Sequence, residues 1–242
     1  MNLKAGYPFS LIKNGLVAEY PKLGKNIRTD VVIMGGGISG ALVAYYLIES
    51  GISCTVIDSR TIGLGSTCAS TSLLQYEIDT PLHQLANMVG IKNASRSYWL
   101  CKEAIDKLIE IADKIGYNDI QKKKSLYYAA VKKDVPGIRK EFEIRKQQGF
   151  RVHYLDKDAV FEKTGIQAPA AILSADAGQT DAYKFTHSLH QYGISKGLKV
   201  FDRTTAKVIR DKKNNVELIT ESGFTIKAKK LVYATGYEVI NY

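Results

Sequence analysis

The stretch that decides the fold is Asp30-Val-Val-Ile-Met-Gly-Gly-Gly-Ile-Ser-Gly40, where an apolar run meets a glycine-rich turn. The run up to Met34 predicts a parallel strand that is buried on both faces. A helix with apolar residues at helical spacing is predicted from Ile38 to Ser50. A second strand follows from Ile52 to Ile57 and ends at Asp58. These elements form one βαβ unit of about 30 residues.

The turn of this unit matches the pattern G-x-G-x-x-G with Gly35, Gly37 and Gly40. The first glycine allows a tight turn, the second lets a pyrophosphate approach the backbone, and the third lets the helix pack on the strand. The helix N-terminus adds amide donors and partial positive charge. Asp58 lies 21 residues after Gly37 and can accept both hydroxyls of a ribose. The pattern predicts a dinucleotide site for NAD or FAD. It argues against NADP, because a carboxylate repels a 2′-phosphate.

Composition restricts the class of protein. The chain has 242 residues, of which 45% are hydrophobic and 24% charged, so disorder, collagen and a disulfide scaffold are excluded. The longest apolar run, residues 41–48, is far shorter than the roughly 20 residues that span a bilayer. We expect neither a transmembrane segment nor a signal peptide. Three scattered cysteines (Cys54, Cys68 and Cys101) fit the reducing cytoplasm and do not form a thiolate metal site.

The net charge of +10 lies entirely in the second half of the chain. Residues 1–120 hold 11 basic and 11 acidic side chains, whereas residues 121–242 hold 23 and 13. A patch for nucleic acid or anionic lipid is one interpretation. Solvated turns and edge strands are the interpretation that we favour, because aromatic residues do not alternate with the basic ones. A third interpretation is that a further acidic segment balances this charge.

The remaining pattern predicts alternating helices and strands. Residues 1–29 are expected to form a leader that packs on the core, with Ser10 capping a short helix through Glu19. Thr180 or Asp181 is expected to cap a later helix. The other predicted helices are 91–115, 134–148 and the capped one, which ends at 195. The other predicted strands are 125–131, 151–155, 171–174, 199–202, 205–210, 216–220, 224–228 and 230–234.

Two further segments separate FAD from NAD. Arg60 is followed by Gly65-Ser66-Thr67, and the last predicted strand leads into Ala234-Thr235-Gly236. With the glycine motif, Asp58 and the strand–helix–strand segment 126–151, these residues make the chain from about Asp30 resemble the D-amino acid oxidase family. This family of FAD-dependent oxidoreductases includes glycine oxidase and sarcosine oxidase. Simple NAD dehydrogenases lack both segments, so the resemblance implies FAD.

The resemblance implies an α/β fold with a Rossmann-like, glutathione reductase-type FAD-binding core and an inserted mixed α+β portion of a substrate domain. The core would comprise residues 30–75 and 199–242. Residues 76–198 would form a helical linker and the partial substrate domain. In the family about a further third of the protein follows the A-T-G segment, so we expect the chain to be truncated and the fragment itself to be inactive.

The resemblance also assigns cofactor contacts residue by residue. The glycine loop would wrap the pyrophosphate, Asp58 would hold the adenosine ribose, and the backbone of Val208 would meet the adenine. The serine-rich segment would run from the phosphates toward the flavin ring, and the late segment would close around the dinucleotide. The full set is Gly35, Gly37, Ile38, Ser39, Gly40, Asp58, Ser59, Arg60, Gly65, Ser66, Thr67, Ser70, Thr71, Ser72, Leu73, Leu74, Val208, Ala234, Thr235 and Gly236.

The implied activity is oxidation of a C–N bond in a small amine or amino acid by hydride transfer to flavin N5. No catalytic residue is assigned, because a neutral amine needs no general base. A C–O oxidoreductase similar to glycerol-3-phosphate dehydrogenase and a flavoenzyme acting on a modified tRNA base are alternatives. The expected setting is the cytoplasm of a bacterium. The sequence leaves the substrate, the electron acceptor and the oligomeric state open.

Other chemistry-bearing residues are given structural roles at this point. Cys68 is expected to be a small buried residue, and Asp176–Asp181 a loop before the capped helix. Tyr76, Glu77 and Asp79 follow the flavin segment, where turn or capping roles compete with contact to a substrate amine. The four histidines (His83, His153, His187 and His190) lack metal spacing. His187 and His190 share one helix face, and we expect surface or packing roles for them.

Overall fold

A computed structural model describes residues 6–236 as a mixture of seven α-helices, ten strands and two short 3-10 turns. The helices are α1 (Phe9–Asn14), α2 (Ile38–Glu49), α3 (Leu82–Val89), α4 (Ile91–Ile115), α5 (Val135–Gln147), α6 (Lys157–Thr164) and α7 (Ala182–Ser195). The strands are β1 (Ile27–Met34), β2 (Cys54–Ile57), β3 (Leu73–Gln75), β4 (Ile120–Tyr128), β5 (Val152–Asp156), β6 (Ala170–Thr180), β7 (Lys199–Phe201), β8 (Ala206–Lys212), β9 (Asn215–Thr220) and β10 (Thr225–Tyr233). Within that range, no helix is both long and apolar enough to cross a membrane.

The chain forms two compact units. One combines the chain up to Thr71 with the chain from Asp181 onward, and the other is Ser72–Thr180. The predicted division differs in two elements, because it places β3 in the FAD-binding core and 181–198 in the substrate portion. Helix α7 belongs to the first unit, where it packs against α2 and β7.

The first unit is built on a six-stranded sheet with the order β7-β2-β1-β10-β9-β8. Strands β7, β2, β1 and β10 are parallel, and β10, β9 and β8 form an antiparallel meander. Val32 and Met34 of β1 pack in one buried cluster with β9 and β10. Val31 and Ile33 pack in another with α2 and β7. Burial on both faces is the reason for the unbroken apolar run, and the predicted α/β Rossmann-like core is confirmed.

The ends of this unit differ from prediction in two places. Helix α1 begins after Pro8 and ends before Gly15, whose φ is +63°, so Ser10 lies buried inside the helix and does not cap it. The two tail strands predicted at 224–228 and 230–234 are one strand, β10. It pairs with β1 in parallel register from Ile27 opposite Ile226 to Met34 opposite Tyr233.

The second unit is an antiparallel sheet centred on the eleven-residue strand β6. Strand β4 runs along one edge of β6, and β3 and β5 share the other. Residues 176–180, predicted as a loop, are therefore the end of a central strand. Helices α3 and α6 were not predicted, because each has only eight residues. Tyr76, Tyr98 and Phe150 form an aromatic core in which Phe150 stacks on Tyr76 with ring centroids 5.0 Å apart.

A buried carboxylate holds α3 against α5 in this unit. Glu141 is fully buried and accepts hydrogen bonds from the backbone N–H groups of Leu82 (2.8 Å) and His83 (2.9 Å). It also accepts from Arg145 Nε at 2.6 Å, and Arg145 reaches Glu77 at 3.1 Å. Burial alone would raise the pKa of Glu141, but Arg145 and the donors of α3 lower it. The carboxylate is thus ionised and caps the N-terminus of α3 from another helix.

We expect Glu141→Leu to destabilise the protein by about 3–5 kcal/mol, because it leaves Arg145 and two backbone N–H groups buried without their acceptor. Urea denaturation measures this change. Glu103→Ala is the matched control, since Glu103 pairs with Arg96 on an exposed face of α4. Its effect should stay within about 1 kcal/mol. Equal effects of the two substitutions would contradict the role given to Glu141.

Candidate cofactor site

A cleft of about 360 Å³ lies in the first unit, where the carboxyl ends of β1, β2 and β10 meet the start of α2. Ligands of open α/β sheets bind at this edge, where the turns after the strands leave a crevice. The cleft is lined by Met34, Gly35, Gly37, Ile38, Ser39, Ile57, Asp58, Ser59, Arg60, Gly63, Gly65, Ser66, Thr67, Ser70, Thr204, Ala206, Ala234, Thr235 and Gly236.

The glycine turn is held by backbone packing that excludes side chains. Gly35 has φ +108°, and a Cβ there would collide with the carbonyl of Ala234. Its N–H donates to the Ile57 carbonyl at 2.8 Å. A Cβ on Gly40 would collide with the Gly35 carbonyl, so Gly40 serves the packing of α2 on the turn. Gly40 does not line the cleft, and its predicted direct contact with the pyrophosphate has no support in this geometry.

Gly37 and Thr67 form the part of the cleft suited to a phosphate. Gly37 is the N-cap of α2 and has no side chain to cap the helix. The N–H of Ile38 donates to Thr67 Oγ1 at 3.1 Å, and a Cβ on Gly37 would lie 2.8 Å from the same oxygen. A hydroxyl that accepts one bond still has its own proton to donate. This corner therefore offers a hydroxyl donor beside the positive end of a helix.

Asp58 is fixed at the end of β2 by backbone donors. Its Oδ2 accepts from Gly36 N–H at 2.7 Å, and its Oδ1 accepts from Arg60 N–H at 2.9 Å. Its own carbonyl accepts from Thr204 N–H at 2.7 Å. A carboxylate has about four acceptor positions, and hydroxyl groups such as those of a ribose donate to carboxylate oxygens.

The donor set fits a dinucleotide. Thr235 Oγ1 is buried against the cleft and has no hydrogen-bond partner within residues 6–236. Buried polar atoms without partners are uncommon in folded proteins, and one that faces a cleft indicates a ligand. Hydroxyls and a helix N-terminus suit a pyrophosphate, and Asp58 suits the sugar beside it.

The cleft brings together most of the residues predicted for the cofactor. Those outside it are Gly40, Thr71, Ser72, Leu73, Leu74 and Val208. Ser72, Leu73 and Leu74 belong to the second unit, where the two leucines pair with β6. Val208 does not line the cleft, and its predicted contact with the adenine stays a prediction. Ala206, at the first position of β8, lines the cleft, whereas Val208 lies two residues further along that strand.

Five lining residues were missed by the sequence argument. Met34 and Ile57 are the last residues of β1 and β2, and the strand ends could have indicated them. Gly63 stands between two predicted segments, Arg60 and Gly65. Thr204 and Ala206 carry no motif. The path of the loop before β8 brings them to the cleft. This path is fixed by the N–H groups of Arg203 and Thr204, which donate to the carbonyls of Arg60 and Asp58 respectively.

The two histidines of α7 are buried beneath the glycine turn. His190 Nε2 lies 3.0 Å from the Gly36 carbonyl, and His187 Nδ1 lies 2.9 Å from the hydroxyl of Tyr20. Burial lowers the pKa of each to about 4, so both are neutral at neutral pH. Among the residues that the structure describes, no cluster of three His, Cys, Asp or Glu side chains could hold a metal.

The other candidates have structural surroundings. Cys68 is buried, with Sγ 3.2 Å from the Gly65 carbonyl. His83, in the first turn of α3, has its Nδ1 2.8 Å from Oε2 of the buried Glu141. Tyr76 lies in the aromatic core, where its hydroxyl accepts from Ser174 at 2.9 Å. Asp181 caps α7 by accepting from the N–H groups of Tyr183 and Lys184, as predicted.

Comparison with known proteins identifies the class. Residues 30–240 match the FAD dependent oxidoreductase (DAO) family, so the chain belongs to this family, whose cofactor is FAD. The match covers the glycine turn and the late A-T-G segment, as the resemblance implied.

Relatives share the fold at low identity. The chain is 23% identical over 221 residues to the putative Rieske 2Fe-2S iron-sulfur protein YhfW of Bacillus subtilis (strain 168), covering 90% of this chain and 42% of that protein. It is 24% identical over 225 residues to 4-methylaminobutanoate oxidase (formaldehyde-forming) of Paenarthrobacter nicotinovorans, covering 90% and 25%. L-Proline dehydrogenase from P. horikoshii superposes with a TM-score of 0.73 at 20% identity, covering 89% and 54%. The chain thus spans only part of the length of these proteins.

The free energy of unfolding should fall as the pH is lowered from 7 toward 5. His187 and His190 have pKa values of about 4 when folded and near 6.5 when unfolded, so the unfolded chain binds more protons in this range. His187→Phe removes one of these groups and should reduce the slope in denaturation measured at several pH values. His153→Phe, at an exposed position of β5, should leave the slope unchanged. A slope that is the same in all three proteins would show that burial of His187 is not coupled to protonation.

Proposed function

We propose that the cleft binds FAD and that the chain is part of an oxidoreductase acting on a C–N bond of a small amine or amino acid. The observation that carries the proposal is the meeting of four features in one cleft. These are a helix N-terminus without its own side-chain cap, the Thr67 hydroxyl, the fixed carboxylate of Asp58, and the Thr235 hydroxyl, which has no partner among the described residues.

The names of the relatives support the substrate class. One relative is an oxidase of 4-methylaminobutanoate, and one structural neighbour is a dehydrogenase of L-proline. Both names describe compounds with a nitrogen and a carboxylate. Membership of the family supports the oxidoreductase class and the cofactor.

The chain's own residues would bind and orient the cofactor. The N–H groups at the start of α2 and the Thr67 hydroxyl would hold the pyrophosphate. Asp58 would accept the ribose hydroxyls, with Ser59 and Arg60 beside them, and the turn 204–206 would flank the adenine. When bound, FAD supplies the acceptor for a hydride from the carbon beside the substrate nitrogen, and the resulting imine is hydrolysed by water.

The structure favours solvated positions for the basic second half over an RNA-binding patch. Lys122, Lys123 and Lys124 are exposed on β4, at an edge of its sheet. On the meander of the first unit, Lys212 and Lys227 pair with Glu217 at 3.4 and 3.5 Å. Lysines on an edge strand also discourage pairing with another sheet. The cytoplasmic location remains a proposal that fits the three free cysteines.

We expect the purified chain to bind FAD and to show the visible absorption of an oxidised flavin. Asp58→Ala should weaken binding by roughly 10- to 100-fold, because a charge-assisted hydrogen bond contributes about 1.5–3 kcal/mol. Fluorescence titration with FAD measures the dissociation constant. Asp30→Ala, which removes an exposed carboxylate paired with Lys229 on the same sheet, should bind FAD as the wild type does. Absence of flavin uptake by the wild type would contradict the proposal.

The substrate class is tested by bleaching of the bound flavin without oxygen. We expect a small secondary amine or amino acid to bleach the visible band and a polyol phosphate to leave it unchanged. The blank is the FAD-loaded protein without added substrate, kept in the dark. Bleaching by the polyol phosphate alone would replace the C–N assignment with a C–O one.

A further inference from the structure

Both backbone polar groups of Gly36 are held from outside the glycine turn. The Gly36 N–H donates to Asp58 Oδ2 at 2.7 Å, and the Gly36 carbonyl lies 3.0 Å from His190 Nε2. His190 is fully buried in α7, and Asp58 is at the end of β2. Two elements that are far apart in sequence thus fix both polar groups of one glycine.

The hydrogen bond has a defined direction. A carbonyl oxygen only accepts, so His190 Nε2 must carry the proton and donate it. In the neutral ring Nδ1 is then an acceptor, and it has no partner within the described part of the chain. An apolar residue would fill the same space without an unpaired nitrogen, so packing alone does not account for a histidine here.

The orientation of the imidazole is set by Tyr20 from the leader. The Tyr20 ring meets His190 edge-on, with centroids 5.9 Å apart, and lies nearly parallel to His187 at 5.7 Å. The Tyr20 backbone carbonyl accepts from Arg203 Nη2 at 3.0 Å. The leader therefore limits the rotation of the ring whose Nε2 bonds the glycine turn.

We propose that His190 is a positioning residue for the cofactor, which holds the Gly36 carbonyl toward α7 so that the Gly37 N–H faces the cleft. The peptide is planar and no cis peptide occurs in the described chain, so the Gly36 C=O and the Gly37 N–H point in opposite directions. Gly37 lines the cleft. The inference rests on the proposed function, because the anion that this N–H would meet is the pyrophosphate of FAD.

The test compares substitutions that keep or remove a donor at the position of Nε2. His190→Leu removes the donor and should weaken FAD binding by roughly 5- to 100-fold, as the loss of one buried hydrogen bond implies. His190→Gln places an amide N–H near that position and should restore binding to within about threefold of the wild type. His190→Asn carries its amide too close to the backbone to reach Gly36, and should behave as His190→Leu does.

Thr186→Val is the matched control. Thr186 is fully buried in the same helix, but its hydroxyl bonds the Ala182 carbonyl within α7. This variant should bind FAD as the wild type does. Circular dichroism and thermal unfolding establish that each variant is folded. If His190→Leu does not fold, the comparison of His190→Asn with His190→Gln decides the question.

A second readout does not depend on FAD. Hydrogen exchange of the ligand-free protein should be faster across residues 35–40 in His190→Leu and His190→Asn, and unchanged in His190→Gln and Thr186→Val. Failure of the wild type to bind FAD, with this exchange pattern intact, would reject the proposed function but keep His190 as the residue that orders the turn. Equal exchange in all variants, or equal FAD affinity of His190→Leu and wild type, would overturn the role of His190.

Discussion

The close approach of the Gly35 backbone to the Ala234 carbonyl is the constraint on which the cofactor site depends. It joins the end of β1 to the end of β10, and these two strands are far apart in sequence. No side chain fits between them, so the two strand ends and the start of α2 lie in backbone contact. The cleft exists because three chain segments turn away from the sheet at this point.

A turn made of glycines has high conformational freedom, and its neighbours must restrict it. Asp58 and His190 hold the two polar groups of Gly36, and Thr67 accepts from the first N–H of α2. Each of these side chains comes from a different element: the end of β2, helix α7 and a 3-10 turn. The preorganised donors thereby avoid the entropy that ordering the loop on binding would cost.

The sequence predicted the parts of the site that lie close together along the chain. The βαβ unit, the glycine turn and Asp58 follow local rules of period, turn chemistry and spacing, and the structure confirms the elements at these positions. Ala206 and not Val208 lines the cleft, because the path of the loop before β8 decides which residue reaches it. The predicted capping role of Ser10 is wrong, because α1 begins directly after Pro8 and Ser10 lies inside the helix. The contact of His190 with Gly36 could not be predicted, since it depends on how α7 packs against α2.

Buried polar groups distinguish the two units. Around Glu141 in the second unit, both oxygens of this carboxylate have partners, as do Nε and Nη1 of Arg145, whereas one oxygen of Glu77 has none among the described residues. Such a network specifies the packing of α3 on α5. In the first unit, His190 Nδ1 and Thr235 Oγ1 stay without partners in the part of the chain described here. A polar group in a core is tolerated at the cost of desolvation. A ligand in the cleft can supply a partner for Thr235, whereas His190 uses its second nitrogen to hold the turn that the ligand would meet. Among the described residues, the unpartnered atoms of Thr235 and His190 therefore fit the role proposed for the first unit as the cofactor site.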